Sequence, residues 1–431
     1  MKFTTRFGER MTRHTGALEL MDDLGSALAR DDAASLQLLG GGNPARIEAV
    51  EQVYRRRLHE IAADAGEFGR FAACYAAPGG DLGFRAAVAG TLQASYGWPL
   101  TARNVGLTSG SQSAFFFLFN LFAGECGKAG GPARRRVLLP LAPEYIGYAD
   151  LGLCEDMLVS QAALVEDTGD GFFKYRIDFE RLTVTPDVGA ICVSRPTNPS
   201  GNVLTVGELE RLDALARAHD VPLIVDAAYG LPFPGIQHAH PGALWNPNVV
   251  FCLSLSKLGL PALRTGIVVA DDPVIEALTA FNATAALAPG SAGAVIVDPL
   301  LRSGELLALC EEQIRPHYQQ RCTRAVTALR EAFESLPLQI HRPEGAFFLW
   351  LRFAGLPIPS AELYRRLKRR GVYVLSGHHF FPGLPEDTPH RHECIRLSYA
   401  QPAERVRAGI AVLAEEVRRA YETRSVPISR A

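Results

Sequence analysis

The sequence predicts an α/β protein in which a mostly parallel sheet, sandwiched by helices, is accompanied by a smaller α+β domain. Helical patterns separate the predicted strands, and alternation of this kind is typical of a parallel sheet. With 431 residues the chain is too long for one ordinary hydrophobic core, so two domains of unequal size are expected. Five runs are apolar throughout, as expected of strands covered on both faces: 137–141, 190–194, 222–226, 249–253 and 265–270.

The elements expected around these strands follow the chain in order. A helix is predicted at 205–219, because Thr205 and Glu208 have the spacing of a capping box. The last third of the chain differs, with predicted helices at 305–336, 360–370 and 402–421 and predicted strands at 346–353, 372–376 and 394–399. The division that these patterns indicate is a large domain of residues 50–300 and a small domain of residues 1–49 together with 301–431.

Charge and cysteine usage exclude several classes of function. The chain carries 44 basic and 46 acidic residues, which give a formal net charge of −2. This balance provides no basic face for nucleic acid or for a membrane surface, so neither is expected as a partner. Eight scattered cysteines without a C-x-x-C pair indicate neither a disulfide framework nor a zinc site. Because no apolar stretch of the signal-peptide type is visible either, a cytoplasmic protein is expected.

The most informative segment contains Lys257, which closely follows an apolar run and lies near Ser254 and Arg264. An ammonium group is costly to bury without partners. Partial burial and a nearby cation favour the neutral amine, which is the form that condenses with a carbonyl group. Taken alone, the segment fits a surface lysine at a strand end equally well.

A carboxylate ends another predicted strand. Asp226 closes the run 222–226, and Tyr229 follows three residues later. In a poorly solvated site a carboxylate holds a pyridine nitrogen protonated, so that the ring withdraws electrons. An aspartate at a strand end is by itself more often a helix cap or a turn residue. The combination of Asp226 with Lys257 favours the role of a carboxylate that pairs with a pyridine nitrogen.

Two turns complete the pattern. Asn198 lies in an Asn-Pro-Ser-Gly turn after the run 190–194, at the sheet edge where open α/β folds bind ligands. Ser109, Gly110 and Ser111 precede an apolar helical run, and the free N–H groups at a helix start attract phosphate. Taken separately, the first is an ordinary turn and the second a serine N-cap.

These four segments, in this order, resemble the class I and II aminotransferases of fold type I, which use pyridoxal 5′-phosphate (PLP). A closer resemblance, to one branch of this family, extends from Phe7 to about Tyr421. It includes strings that are much longer than a four-residue motif and specific to the family: 39–44, 110–116, 143–148, 193–199, 244–248 and 380–383. The resemblance implies the fold-type I architecture, with a large domain that binds PLP and a smaller α+β domain.

The resemblance also implies which residues hold the cofactor. Lys257 would bind PLP as a Schiff base and move a proton between the substrate Cα and the cofactor, while Asp226 would pair with the ring nitrogen. Tyr229 and Asn198 would hydrogen-bond the phenolic oxygen of the ring, and Tyr145 would stack on its face. The residues expected around the phosphate are Ser109, Gly110, Ser111, Ser254, Arg264 and, from the partner subunit of a homodimer, Tyr75.

The substrate is expected beside the cofactor. The resemblance implies that Arg396 binds the substrate α-carboxylate through two parallel hydrogen bonds, which suits a planar guanidinium, in a pocket that Asn198 and Gly42 also line. The expected reaction is amino transfer from L-valine to pyruvate, giving 2-oxoisovalerate and L-alanine. Beyond Arg396 and Arg264, no arginine obviously serves a second substrate carboxylate.

Several alternatives remain open at this point. The donor could be another amino acid in a specialised biosynthetic pathway. Ala227 stands where similar sequences favour a polar residue and the match is looser at 290–293, and both departures could alter the side-chain or acceptor preference. PLP-dependent elimination or cyclisation would reuse Lys257 and Asp226. A binding-only regulatory role is not expected, since the chain begins only about forty residues before 39–44 and has no basic face. No metal site is expected at the histidines of 378–392, which lack cysteine or carboxylate ligands at suitable spacing.

Overall fold

The computed structural model describes residues 5–12, 16–29, 35–126 and 133–424. Its α-helices are α1 Arg6–Met11, α2 Gly16–Leu28, α3 Glu48–Ala63, α4 Ala65–Phe68, α5 Leu82–Tyr96, α6 Ser111–Phe122, α7 Val206–Ala218, α8 Asp272–Ala286, α9 Ala292–Arg302, α10 Glu305–Leu309, α11 Arg315–Ala332, α12 Ser360–Arg369, α13 Pro389–His392 and α14 Ala403–Arg424.

The strands are short, and most of them belong to two sheets. They are β1 Gln37–Leu38, β2 Val105–Thr108, β3 Gly124–Glu125, β4 Arg134–Ala142, β5 Leu158–Ala162, β6 Leu164–Gly169, β7 Phe172–Arg176, β8 Val188–Ser194, β9 Leu223–Asp226, β10 Val249–Ser254, β11 Gly266–Val269, β12 Gln339–His341, β13 Phe348–Arg352, β14 Val372–Tyr373, β15 Leu375–Ser376 and β16 Cys394–Ser398.

The first sheet has the strand order β2-β11-β10-β9-β8-β4-β3, with β5 paired to β4. The pairs between β10, β9, β8, β4 and β5 are parallel, and β11 is antiparallel to both of its neighbours. All five strands predicted from apolar runs lie in this sheet, so the predicted mostly parallel sheet is confirmed. In register, Ser194 pairs with Asp226 and Asp226 with Cys252, so the carboxyl ends of three central strands meet at one edge.

Helices cover both faces of this sheet, which explains why its strands are apolar throughout. Val137 and Leu139 of β4 point to one face, where they pack with the aromatic side chains of α6. Leu138 and Leu141 point to the other face, into the larger core. A strand with two covered faces loses the alternation of polar and apolar residues that one solvated face would impose.

The second sheet has the order β15-β16-β13-β12-β7-β6. Strands β6 and β7 belong to it, because β7 pairs in parallel with β12, although both fall inside the range 50–300 assigned above to the large domain. The division into two domains therefore stays a prediction. Part of both predicted domains (residues 1–4, 13–15, 30–34, 127–132 and 425–431) lies outside the described residues.

Some predicted elements are divided in the structure. The helix expected at 305–336 is α10, a π-helical turn Cys310–Ile314 and α11. The strand expected at 372–376 is two pieces, because Val372 pairs with Gln37 whereas Leu375 pairs with Arg396 of another sheet. The capping box is present at the start of α7, where Thr205 and Glu208 bond each other's backbone N–H groups. No helix in the described part of the chain is long and apolar enough to cross a membrane.

Candidate active site

A cavity of about 240 Å³ lies at the carboxyl edge of the first sheet. Ten of the residues singled out in the sequence line it: Gly42, Ser111, Tyr145, Asn198, Asp226, Tyr229, Ser254, Lys257, Arg264 and Arg396. The structure also adds lining residues that the sequence did not indicate: Met21, Gln112, Phe115, Ile146, Ser194, Pro196, Ala228 and Ser256. The cavity joins segments that are up to 375 residues apart in the chain, from Met21 to Arg396.

Lys257 enters the cavity from the turn that follows β10. Its Nζ donates a hydrogen bond of 2.9 Å to the carbonyl of Gly42 and lies 5.3 Å from the centre of the Tyr229 ring. Burial lowers the pKa of Lys257 to about 8, and the positive charges of Arg396 and Arg264 act in the same direction. A substantial fraction of this amine is therefore neutral near physiological pH and able to attack a carbonyl carbon.

Asp226 ends β9 at the floor of the cavity and is 8% exposed. Its carboxylate accepts hydrogen bonds from Ala228 N–H at 3.0 Å and from the hydroxyl of Tyr148 at 2.8 Å. Burial raises the pKa of Asp226, and these two donors and Lys257 oppose that rise. Tyr148 was not singled out in the sequence, where it was only one residue of the string 143–148.

Arg396 projects from β16 into the cavity and is 2% exposed. Its two terminal nitrogens donate to Asn198 Oδ1 at 2.6 Å and to the carbonyl of Gly40 at 2.7 Å, while its Cζ lies 3.9 Å from the centre of the Phe348 ring. Nε is buried without a hydrogen-bond partner. Both partners of its terminal nitrogens are uncharged oxygens, and burial lowers the pKa of Arg396 to about 10. A buried guanidinium of this kind favours an anionic ligand.

A second cationic corner lies at the start of α6. Gly110 precedes the helix with φ +87°, and a β-carbon there would collide with the guanidinium of Arg264. Arg264 donates to Ser256 Oγ at 3.4 Å, and Ser256 N–H donates to Ser254 Oγ at 3.2 Å. Free N–H groups at the start of a helix, an arginine and serine hydroxyls form a suitable phosphate site. Ser109 lies in the same turn, and its carbonyl accepts from Ser113 Oγ.

The ring of Tyr145 closes one side of the cavity. Its hydroxyl donates to Gln112 Oε1 at 3.3 Å, and Gln112 Nε2 donates to the carbonyl of Gly147 at 2.9 Å. Below it, the carboxyl of Glu144 accepts from Tyr145 N–H at 3.1 Å and from Ser194 N–H at 2.8 Å. Glu144 is fully buried, and burial raises its pKa to about 8. This glutamate links the strand ends that carry Tyr145 and Ser194, and it was not singled out in the sequence.

Tyr229 packs its ring against Phe347 and Phe348, with ring centres 5.2 and 5.8 Å apart. Burial raises the pKa of its hydroxyl. Among the candidate residues, Tyr75 stands apart because its side chain is exposed to solvent, with 86% of its surface accessible. It does not line the cavity of its own chain.

The histidines near the C-terminus have partners other than a metal. His378 contacts His379 and pairs with Ser376 Oγ, His390 pairs with the Tyr175 hydroxyl, and His392 pairs with Asp387. Across the described residues, no group of three or more His, Cys, Asp or Glu side chains is placed to hold a metal ion.

The donor set of the cavity fits PLP. The carbonyl group of PLP suits the amine of Lys257 with its lowered pKa, and a protonated ring nitrogen suits the buried carboxylate of Asp226. The phosphate dianion suits Arg264 and the start of α6, where glycine leaves room beside the guanidinium. Arg396 remains for the carboxylate of a substrate.

Comparisons with known proteins agree with this geometry. The family model of class I and II aminotransferases matches residues 39–413. Valine–pyruvate aminotransferase of Escherichia coli K12 is 46% identical over 415 residues, which cover 96% of this chain and 98% of the relative. A crystal structure from Psychrobacter arcticum 273-4, described as an amino-acid aminotransferase, matches with a TM-score of 0.93 at 44% identity over 98% of this chain and 99% of that one.

A crystal structure of valine–pyruvate aminotransferase from Salmonella typhimurium LT2 matches with a TM-score of 0.86 and 44% identity, over 94% of this chain and all of that one. The family match covers most of the chain, and the matches to these relatives extend over nearly all of it. Ten of the residues expected from the sequence to hold cofactor or substrate meet in one cavity. The chain belongs to the class I and II aminotransferases and is a PLP-dependent transaminase.

Proposed function

We propose that this enzyme transfers the amino group of L-valine to pyruvate, giving 2-oxoisovalerate and L-alanine. The observation that carries the proposal is the charge inventory of the cavity. Among its lining residues only Asp226, Lys257, Arg264 and Arg396 are charged. With three of these assigned to PLP and Arg396 to the α-carboxylate, no charged group is left for a substrate side chain. The similarity to valine–pyruvate aminotransferases supports the choice of valine among uncharged donors.

The division of work in the site follows from the chemistry of each side chain. When bound, PLP supplies an electron sink that stabilises negative charge at the substrate Cα. Lys257 would hold the cofactor through Nζ, and its amine is the group that would move the proton at the substrate Cα. Asp226 would pair with the ring nitrogen, and Tyr229 and Asn198 would hydrogen-bond the phenolic oxygen. Tyr145 would stack on the ring and limit the access of water from that side.

The anionic groups have separate binding sites. The proposed phosphate site consists of Ser109, Gly110, Ser111, Ser254 and Arg264, with the N–H groups at the start of α6 as donors. Arg396 binds the substrate carboxylate with Nε, which lacks a partner, and with a terminal nitrogen. Asn198 and the loop that contains Gly42 border this carboxylate, since they already accept from Arg396 and Lys257 respectively.

The proposed assembly is a homodimer with shared active sites, in the cytoplasm. Its support is Tyr75, whose side chain is exposed in the single chain although it is aromatic and polar at its tip. In the dimer, Tyr75 of each chain reaches the phosphate of the other active site. The proposed large domain is residues 50–300, except that β6 and β7 pair with the second sheet, and the proposed small domain is residues 1–49 with 301–431, which contributes Arg396 to the substrate carboxylate.

The test is a pair of half-reactions on the PLP-loaded protein. We expect L-valine alone to bleach the visible absorbance of bound PLP, and pyruvate to restore it with formation of L-alanine. Lys257→Ala should do neither. Bleaching by other amino acids but not by valine would keep the transaminase and discard this donor. Consumption of an amino acid without any requirement for a 2-oxo acid would instead indicate elimination or cyclisation.

A further inference from the structure

Helix α2 places one side chain of the N-terminal segment at the active-site cavity. Met21 lines the cavity together with Tyr145, Ile146 and Arg396, although it is 65% exposed in the single chain. Helix α2 also lies against the turn Ile146–Tyr148. Met21 therefore borders the cavity on the side of Ile146, and nothing in the cofactor chemistry requires a methionine there.

Helix α2 is anchored on α12 and on the small two-stranded sheet of β1 and β14. Asp23 accepts a hydrogen bond of 2.7 Å from the hydroxyl of Tyr364 and forms an ion pair with Lys368, both on α12. Ala27 packs with Leu36 and Tyr373 in a small separate core. These contacts fix the position of Met21 relative to β16, the strand that carries Arg396.

We infer that Met21 is a specificity-determining residue, which contacts the side chain of the substrate and sets how large an uncharged side chain the enzyme accepts. The inference rests on the proposed function, because Arg396 must hold the α-carboxylate and Lys257 must face Cα. With those two ends fixed, the substrate side chain points to the remaining lining. That lining is apolar at Met21 and Ile146 and carries no charge there.

The chemistry of methionine suits this role. Its unbranched, polarisable side chain adapts to an irregular apolar surface and covers a small aliphatic group with little strain. Removing it leaves space for a longer or aromatic side chain and removes apolar contact from a short one. Gaining or losing apolar contact equivalent to one or two methylene groups changes kcat/KM by roughly tenfold.

The experiment measures kcat/KM for bleaching of bound PLP by L-alanine, L-valine, L-leucine and L-phenylalanine. For Met21→Ala, we expect the ratio of phenylalanine to valine to rise about tenfold. For Met21→Trp, the same ratio should fall by a similar factor while alanine changes least. Leu18→Ala is the matched control, because Leu18 is also exposed on α2 but does not line the cavity, and it should leave all ratios unchanged.

An unchanged ratio in both Met21 variants would overturn the inference, and so would an equal change in Leu18→Ala. A second readout is the dissociation constant of two unreactive carboxylates, isovalerate and 3-phenylpropionate, from the change in PLP absorbance. Met21→Ala should favour 3-phenylpropionate. If the wild-type enzyme converts other amino acids but not valine, the proposed donor fails, while a changed ratio among the accepted amino acids still supports the role of Met21.

Discussion

The hydroxyl of Tyr148 donates a 2.8 Å hydrogen bond to Oδ2 of Asp226, and both side chains are buried beneath the active-site cavity. Tyr148 also packs its ring against Phe115, Phe119 and Tyr145 at centre distances of 5.2 Å. Packing therefore holds the phenol ring on several sides, while its hydroxyl donates a hydrogen bond to the carboxylate of Asp226. Burial raises the pKa of the Tyr148 hydroxyl, so it remains a donor over the whole physiological pH range.

We predict that Tyr148→Phe weakens the hold on PLP without unfolding the protein. A hydrogen bond to a charged group contributes about 1.5–3 kcal/mol, so the dissociation constant of PLP should rise at least roughly tenfold. The ring and its packing remain in the variant. Equilibrium dialysis of PLP against the apoprotein checks the affinity. Tyr421→Phe is the control, because its hydroxyl donates to the carbonyl of Ala354 and the residue does not line the cavity, so this variant should bind PLP as tightly as the wild type.

Gly110→Ala should damage the phosphate site. At φ +87° an L side chain is strained, and its β-carbon would also displace the guanidinium of Arg264. We expect PLP to dissociate at least about tenfold faster, with a melting temperature of the apoprotein a few degrees lower, since strain of this kind costs roughly 1–3 kcal/mol. Gly90→Ala is the control, because Gly90 lies inside α5 with open space around it, and that variant should be neutral or slightly more stable. Equal PLP retention in the two variants would contradict the proposed phosphate site.

The sequence predicted the parallel core well because its signal is local. Each buried strand contains an apolar run, and the central strands β8, β9 and β10 end in polar residues, which the register brings to one edge. The signal for Tyr148 and Glu144 was absent, because each acts through a hydrogen bond to a residue 78 or 50 positions away. Both residues belong to the string 143–148, so an aromatic and an acidic residue directly after a buried strand were the available hint.

The strand pairing of the second sheet could not be predicted from sequence patterns. β6 and β7 lie in sequence between strands of the first sheet, yet β7 pairs with β12 more than 160 residues later. No periodicity encodes that choice of partner, since it depends on which edge remains free after the core has formed. For the same reason Met21 could not be assigned to the cavity, because its helix is placed by Asp23, Tyr364 and Lys368.

The lowered pKa of Lys257 predicts how the apoprotein captures PLP. The neutral amine reacts, so the second-order rate constant of capture should rise with pH and level off above about pH 8. For a lysine with the ordinary pKa of 10.5, the rate constant would continue to rise to above pH 10. Stopped-flow absorbance with apoprotein from pH 6 to 10.5 checks this. Lys257→Ala treated in the same way gives the background from other lysines. A rate constant that still rises tenfold per pH unit above pH 9 would contradict a pKa of about 8 for Lys257.

The raised pKa of Glu144 predicts that the free energy of unfolding depends on pH. Burial raises its pKa in the folded protein from 4.5 to about 8, so its stabilising contribution is complete below pH 4.5. The contribution is lost as the pH rises towards 8, by at most about 1.4 kcal/mol per pH unit. In Glu144→Gln the group does not titrate, so the difference in unfolding free energy between wild type and variant should shift in favour of the variant from pH 5 to 8 and then remain constant.

Urea unfolding of the apoprotein at half-unit pH steps measures this difference. Glu415→Gln is a matched control, because that carboxylate is exposed and pairs with Arg370, which lowers its pKa. Its difference from the wild type should be nearly flat between pH 6 and 8, since the group is ionised there in both states. A flat difference for Glu144→Gln over the same range would mean that the carboxyl of Glu144 is already ionised at pH 6. The three donors Ser194 N–H, Ser194 O–H and Tyr145 N–H would then outweigh the cost of burial.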